Sequence, residues 1–123
     1  MSPPLSPCGA IVRRDDPDRF LCALFAPEAA REALFTLYAF NAALAGVRDA
    51  VTEPTLGLIR LQWWRETVAE ASHGRFRRHE VADPLGRLIA QKGFDPALFD
   101  AVITAREAEF AEEGIPDPPA LEA

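Results

Sequence analysis

Apolar residues recur at helical spacing along most of this chain, and turn-forming residues separate the runs. Five helix starts are predicted where a proline follows a capping or loop residue, at Asp16–Pro17, Pro27, Pro54, Asp83–Pro84 and Asp95–Pro96. The second helix is predicted to run to about Asp49, and the fourth to stop at Gly93. No alternating strand pattern is visible. The sequence therefore predicts an all-α protein of about five helices.

The first and third of these helices have apolar faces. The predicted face of the first helix consists of Phe20, Leu21, Leu24 and Phe25. The third helix carries apolar residues around more than one side, namely Leu56, Leu58, Ile59, Leu61, Trp63, Trp64 and Val68. A helix that is apolar on several sides is usually buried on several sides, so this helix is expected to need more cover than a small domain supplies.

Length and composition limit the class of protein. The 123 residues are 49% hydrophobic and 26% charged, which fits one globular domain, here residues 1–123. Residues 1–15 are predicted to be an N-terminal arm, and the proline-rich residues 114–123 an extended tail. The formal net charge of -6 disfavours nucleic acid as a partner, and two cysteines do not suggest a disulfide framework. Without a signal peptide or a bilayer-length apolar run, the expected location is cytoplasmic, or peripheral to a membrane.

Three ordered segments resemble the squalene/phytoene synthase family. They are CGAIVRRDDPDRFLCALFAP from Cys8 to Pro27, LYAFNAALAGVRDAV from Leu37 to Val51, and GLIRLQWWRETV from Gly57 to Val68. The resemblance covers nearly the whole chain and implies the N-terminal half of an isoprenoid-synthase helical bundle. The Ala-Phe-Asn and Ile-Arg-Leu-Gln-Trp-Trp-Arg sequences are most similar to the branch of the family that contains the mitochondrial complex I assembly factor.

The resemblance also implies a chemistry, which is the head-to-head condensation of prenyl diphosphates in isoprenoid and carotenoid biosynthesis. Such a transferase uses Mg²⁺ held by two aspartate-rich motifs, because the ion neutralises the diphosphate leaving group. Here the first motif would fall on Ala45, Gly46 and Asp49, of which Asp49 alone is acidic. Glu53 could add an oxygen, although Pro54 is expected to place it off the helix. The second motif would belong to the following half, so residues 1–123 are expected to be inactive alone.

Several other side chains are candidates for lining a cavity. Asn41 lies on the same helical stripe as Ala45 and Asp49, and its alternative is a buried amide with a hydrogen-bond partner. Tyr38 could present its hydroxyl to a substrate or pack in the core with one hydrogen bond. Trp63 and Trp64 could form a prenyl-binding wall or a partner contact, or pack in the core. Arg60 could bind diphosphate or pair with a carboxylate.

A basic cluster of Arg75, Arg77, Arg78 and His79 could contact anionic lipid headgroups or form a solvated loop. His73 and His79 lack partners at metal-ligand spacing, so no metal is assigned to them.

Two hypotheses about function therefore stand, beside the alternative of a decayed gene fragment with no function. The first is a family member whose ancestral reaction has been lost with its carboxylates, with prenyl diphosphate as the remaining ligand. The second is a non-catalytic binding module that docks a protein partner or a membrane surface through its third helix. A half-bundle also exposes the faces that missing helices would cover, so a homodimer is a further expectation.

Overall fold

The computed structural model describes residues 5–113, with side chains described for residues 5–110. This part of the chain is all-α and contains six helices and no strand. Their bounds are α1 Pro7–Asp15, α2 Pro17–Leu24, α3 Glu28–Ala50, α4 Pro54–Ala71, α5 Ala82–Lys92 and α6 Pro96–Glu113. The all-α prediction is confirmed, and the predicted proline-rich tail at 114–123 lies outside the described residues.

The helix that the sequence analysis missed is α1. Residues 7–15 were predicted only as part of an N-terminal arm, yet they form a helix that buries Cys8 and Val12 against α3. The start signal is the same serine- or aspartate-proline pair that marks other helices, because Ser6 Oγ accepts a hydrogen bond from the Gly9 amide at 3.1 Å. The pair was overlooked because this helix is short and buries few large residues.

A single residue forms the corner between α1 and α2. The Asp16 amide donates to the Val12 carbonyl at 2.8 Å and ends α1, while the Asp16 carboxylate accepts from the Arg19 amide at 3.3 Å and caps α2. Asp16 has φ -148° and ψ 70°, outside the helical region. The two helices therefore meet without any intervening loop.

The core is built around the long central helix α3, which contacts all five other helices. Its buried residues Phe35, Ala39, Phe40, Leu44 and Val47 face the interior. Phe40 meets Trp64 and Phe99 edge-on, at ring-centroid distances of 5.5 and 5.7 Å. These contacts join α3 to α4 and α6 in one aromatic cluster.

Helices α4 and α6 pack closely and run antiparallel. Gly57, in the first turn of α4, lies against the ring of Phe110 near the end of α6. Further along α4, Arg65 makes a bidentate pair with Glu107, with both N···O distances at 2.8 Å, and also approaches Asp100 at 3.4 Å. The glycine permits the close approach, and the arginine fixes the register of the two helices.

The first predicted helix corresponds to α2, and the prediction that its apolar face is buried was largely wrong. Only Phe20 packs inward, stacked on Phe35 at 5.5 Å, whereas Leu21 is 55% exposed and Phe25 is 90% exposed. Leu24 is also exposed. Helical periodicity identified residues that share a face. Whether another element covers that face depends on tertiary packing, which periodicity does not show.

Within the described residues, the third predicted helix, α4, is covered on one side only. Leu61, Trp64 and Val68 are buried, while Leu56 is 47% exposed and Ile59 is 60% exposed. The sequence prediction that this helix carries more apolar surface than a small domain covers agrees with the exposure of these two residues.

Glu107 is expected to make stability depend on pH. Its hydrogen bonds from Arg65 hold the pKa of the Glu107 carboxyl below its usual value of 4.5. A carboxyl with a lowered folded-state pKa stabilises the fold above its unfolded-state pKa, and this contribution is lost as pH falls through the folded-state pKa. Glu107→Gln is therefore expected to cost about 1–2 kcal/mol at pH 7 and much less near pH 3, measured by urea unfolding.

The matched control is Glu109→Gln, because Glu109 pairs with Arg106 on the same helix and is more exposed. A similar pH-dependent loss in both variants would contradict a specific role for the α4–α6 pair.

Candidate functional site

Two adjoining pockets flank the second half of α3. The first, here called the tryptophan pocket, has a volume of about 410 Å³ and lies between α1, α3, α4 and the segment before α5. The indoles of Trp63 and Trp64 line it together with apolar side chains from Ile11, Val47 and Val81. Its charged or polar lining residues are Arg14, Asp15, Arg60, His79 and Glu80.

The second, here called the acidic pocket, has a volume of about 370 Å³ and lies between the α1–α2 corner and α3. It is lined by Asp15, Asp16, Asn41, Ala42, Ala45, Gly46 and Asp49. Asp15 and Gly46 border both pockets, so the two are neighbours across α3. Gly46 is exposed, and a Cβ placed there would meet nothing within 4 Å.

The structure divides the predicted site residues between these pockets. Asn41, Ala45 and Asp49 lie together in the acidic pocket, while Arg60 and Trp64 line the tryptophan pocket. The remaining two, Tyr38 and Glu53, line neither.

Tyr38 is half-buried, with the Arg19 guanidinium 5.5 Å from its ring centroid. Glu53 lies before the first residue of α4 with extended backbone angles of -123° and 138°, off the helix as the sequence analysis expected. Its exposed side chain cannot continue the helical stripe of Ala45 and Asp49.

The donor set does not fit a magnesium ion. The position four residues before Asp49 is Ala45, whose exposed methyl group cannot bind a metal. The Asp15 carboxylate is held by Arg14 at 2.7 Å, and Asp16 caps α2. Within residues 5–110, no group of three histidine, cysteine, aspartate or glutamate side chains is arranged to hold a metal ion. The Mg²⁺ implied by the resemblance therefore has no suitable set of ligands in the described chain.

His79 lines the tryptophan pocket, whereas the sequence analysis placed it only in the basic cluster that could contact lipid headgroups. Its Nδ1 accepts hydrogen bonds from the Val81 and Ala82 amides at 3.1 and 3.2 Å, and its carbonyl accepts from the Asp83 amide at 3.1 Å. The imidazole therefore caps α5, although Asp83 had been predicted to start this helix. Because Nδ1 accepts, the ring proton resides on Nε2. The ring also meets Trp63 and Trp64 at 5.5 and 5.4 Å, on the wall of the tryptophan pocket.

Replacing this cap should have a measurable cost. His79→Ala is expected to lower the free energy of unfolding by about 1 kcal/mol or somewhat more, since the amides of Val81 and Ala82 at the start of α5 lose their acceptor. His79→Asn is expected to recover part of the loss, because asparagine is a good capping residue. Chemical unfolding followed by circular dichroism measures both variants. Equal destabilisation by alanine and asparagine would show that the ring contacts with the tryptophans matter more than the cap.

The basic cluster of the α4–α5 loop is partly structural. Arg77 donates to Glu70 at 2.7 Å and to Glu66 at 3.4 Å, and its guanidinium lies 5.1 Å from the Trp63 ring centroid. The hydrogen bond from Arg77 lowers the pKa of Glu70. Arg75 and Arg78 are exposed. The arrangement leaves less free positive charge for a lipid surface than the sequence pattern suggested.

The cysteines do not form a disulfide with each other. Cys8 is buried and Cys22 is exposed, and both are free thiols. Burial raises the pKa of the Cys8 thiol to about 11, so this group stays protonated and unreactive near neutral pH.

The comparison with protein families decides the relationship. The family model for squalene/phytoene synthase matches residues 12–123. The chain belongs to the squalene/phytoene synthase family. Proteins similar to this chain include several that are named NADH dehydrogenase (ubiquinone) complex I, assembly factor 6. The rat protein is 40% identical over 100 residues, and the human protein is 32% identical over 100 residues.

These matches cover 81% of this squalene/phytoene synthase family chain but only 30% of each mammalian relative. The Drosophila melanogaster homolog is 26% identical over 106 residues, with 32% of its length covered. The chain thus spans about a third of the length of the curated relatives it matches. No solved structure matches it significantly. Among residues 5–113, no helix combines the length and apolarity needed to cross a membrane.

Proposed function

We propose that this chain is a non-catalytic binding module that acts in the assembly of an NADH dehydrogenase of the complex I type. The observation that carries the proposal is the Ala45–Asp49 pair on α3. Where the family resemblance implies two carboxylates aimed at one metal cluster, the helix presents one carboxylate and one methyl group. The assembly-factor names of relatives in several animals support the same function.

The partner surface proposed for this function is the uncovered side of α4. Leu56 and Ile59 are exposed there, and the helical spacing continues through Arg60 to Trp63 at the edge of the tryptophan pocket. Apolar anchors at this spacing are typical of helix faces that dock against a groove or a second helix. The proposed occupant is a protein subunit of the complex under assembly, with an apolar segment to cover these residues.

Genetic complementation in the native source tests this function. Deleting the gene is expected to reduce fully assembled complex I, measured on blue native gels together with NADH:ubiquinone activity. The wild-type gene should restore assembly, whereas Leu56→Ser combined with Ile59→Ser should not. A matched control is Leu98→Ser with Val102→Ser, which removes exposed apolar residues from α6 instead. Normal complex I levels in the deletion strain would overturn the proposal.

The competing function is prenyl-diphosphate condensation, as in an isoprenoid transferase. One observation favours it, because Asp15, Asp16 and Asp49 line the same pocket. If the pocket is a degraded metal site, Ala45→Asp restores a pair of carboxylates four residues apart on one helix face.

On this competing function, Ala45→Asp should gain Mg²⁺-dependent binding of geranylgeranyl diphosphate, measured by calorimetry, while the wild-type chain and the uncharged control Ala45→Asn show none. Condensed product from the wild-type chain incubated with Mg²⁺ and labelled prenyl diphosphate would instead establish an active transferase.

A further inference from the structure

We propose that the tryptophan pocket binds a small amphiphilic anion that carries a single negative charge, such as a medium-chain carboxylate. This inference does not rest on the assembly function, although Arg60 and Trp63 belong both to the pocket and to the proposed docking face of α4. Its volume of about 410 Å³ lies within the range of small-molecule sites, which runs from roughly 300 to 1,000 Å³.

The wall of the pocket suits an apolar chain. The two indoles of Trp63 and Trp64 stand edge-to-face, with ring centroids 4.9 Å apart. Val47 and Val81, both buried, continue the apolar lining from α3 and from the segment before α5. Aromatic and aliphatic walls with a few polar groups at the edge are the usual composition of ligand pockets.

The charged groups of the pocket favour an anionic head with one charge. Arg14 already makes two hydrogen bonds to Asp15, at 2.7 and 3.0 Å. Arg60, by contrast, is exposed and makes no hydrogen bond or ion pair within the described part of the chain. Its guanidinium can therefore accept a carboxylate without giving up an existing partner. His79 adds a neutral donor, since its protonated Nε2 is not used in capping α5.

The same lining disfavours a diphosphate. The lining holds two arginines, Arg14 and Arg60, and two carboxylates, Asp15 and Glu80, so it has no net positive charge to offset a headgroup with several negative charges. A single carboxylate needs one arginine and one neutral donor, and both are present. This charge balance separates the proposed ligand from the prenyl diphosphates implied by the family resemblance.

The experiment uses the chain's own fluorescence. Trp63 and Trp64 are its two tryptophans and both line the pocket, so a ligand there should change the emission. The probes are decanoate, decan-1-ol, decylammonium and geranyl diphosphate, each titrated below its micelle threshold, with isothermal titration calorimetry as a second measurement. Decanoate is expected to bind saturably and more tightly than the other three.

Variants of Arg60 test the proposed contact between its guanidinium and the carboxylate of the ligand. Arg60→Gln should weaken decanoate binding about tenfold or more, as expected for the loss of a charge-assisted hydrogen bond, and Arg60→Lys should recover part of the affinity. Arg75→Gln is the control, because it removes the same charge from an exposed arginine outside the pocket. The proposal is overturned if neither method detects saturable decanoate binding, if Arg60→Gln and Arg75→Gln bind it equally, or if geranyl diphosphate or decylammonium binds more tightly.

Discussion

Trp64→Ala is expected to lower the free energy of unfolding by about 3–5 kcal/mol, the largest effect of any substitution considered for this chain. Trp64 is 5% exposed and its indole contacts Phe40, Trp63 and His79, so its removal opens a cavity where α3, α4 and the α5 cap meet. Folded domains are stable by only about 5–15 kcal/mol, so the variant should lose a large part of its stability. Urea unfolding followed by circular dichroism measures the change.

The neighbouring tryptophan supplies the control for this prediction. Trp63 is half-buried, and the Arg77 guanidinium packs over its ring. Trp63→Ala is therefore expected to cost only about 1–2 kcal/mol. Equal destabilisation of the two alanine variants would contradict the larger contribution to the core that is expected of Trp64.

The second large effect is expected at the crossing of α4 and α6. Gly57→Ala would place a methyl group within the ring of Phe110, which is itself buried. Despite the better helix propensity of alanine, the variant should be less stable by about 1–3 kcal/mol, because the helices must separate or the ring must leave its position. The measurement is the shift of the denaturant midpoint.

Two companion variants isolate the cause. Gly46→Ala makes the same chemical change inside α3, where a Cβ meets nothing within 4 Å, and should stabilise the fold by about 0.5–1 kcal/mol. Combining Gly57→Ala with Phe110→Leu should restore part of the lost stability, since the shorter side chain leaves room. A Gly57→Ala variant as stable as the wild type would show that Phe110 moves at no cost.

Three helix starts were predicted correctly, at Asp16–Pro17, Pro54 and Asp95–Pro96. Gly93 ends α5 as predicted, with a positive φ of 69°. The start of α5 was placed too late because His79 caps it through an imidazole nitrogen, which no propensity scale anticipates. Phe25 was predicted to lie on the apolar face of the first helix, but it is exposed. The burial of a residue depends on which elements surround it, and helical spacing does not show this.

The candidate site was predictable only along a single helix. Asn41, Ala45 and Asp49 were grouped from their spacing of four residues, and they do share a pocket. Asp15 and Asp16 join them from the α1–α2 corner, more than twenty residues away in sequence. Likewise, Arg60 and His79 line the same pocket only because the α4–α5 loop brings His79 against the rings of Trp63 and Trp64. Contacts of this kind come from tertiary packing, which periodicity within one element does not encode.

The shared corner at Asp16 has a consequence for how this part of the chain can change in evolution. Since α1 ends and α2 begins on one residue, an insertion or deletion there cannot be absorbed by a loop. One added residue would separate the two interactions that Asp16 makes at once, from its amide to the Val12 carbonyl and from the Arg19 amide to its carboxylate, so a single residue would no longer fix the angle between α1 and α2. Substitutions at the corner that keep a capping side chain should be tolerated, whereas its length should stay fixed among functional descendants of this sequence.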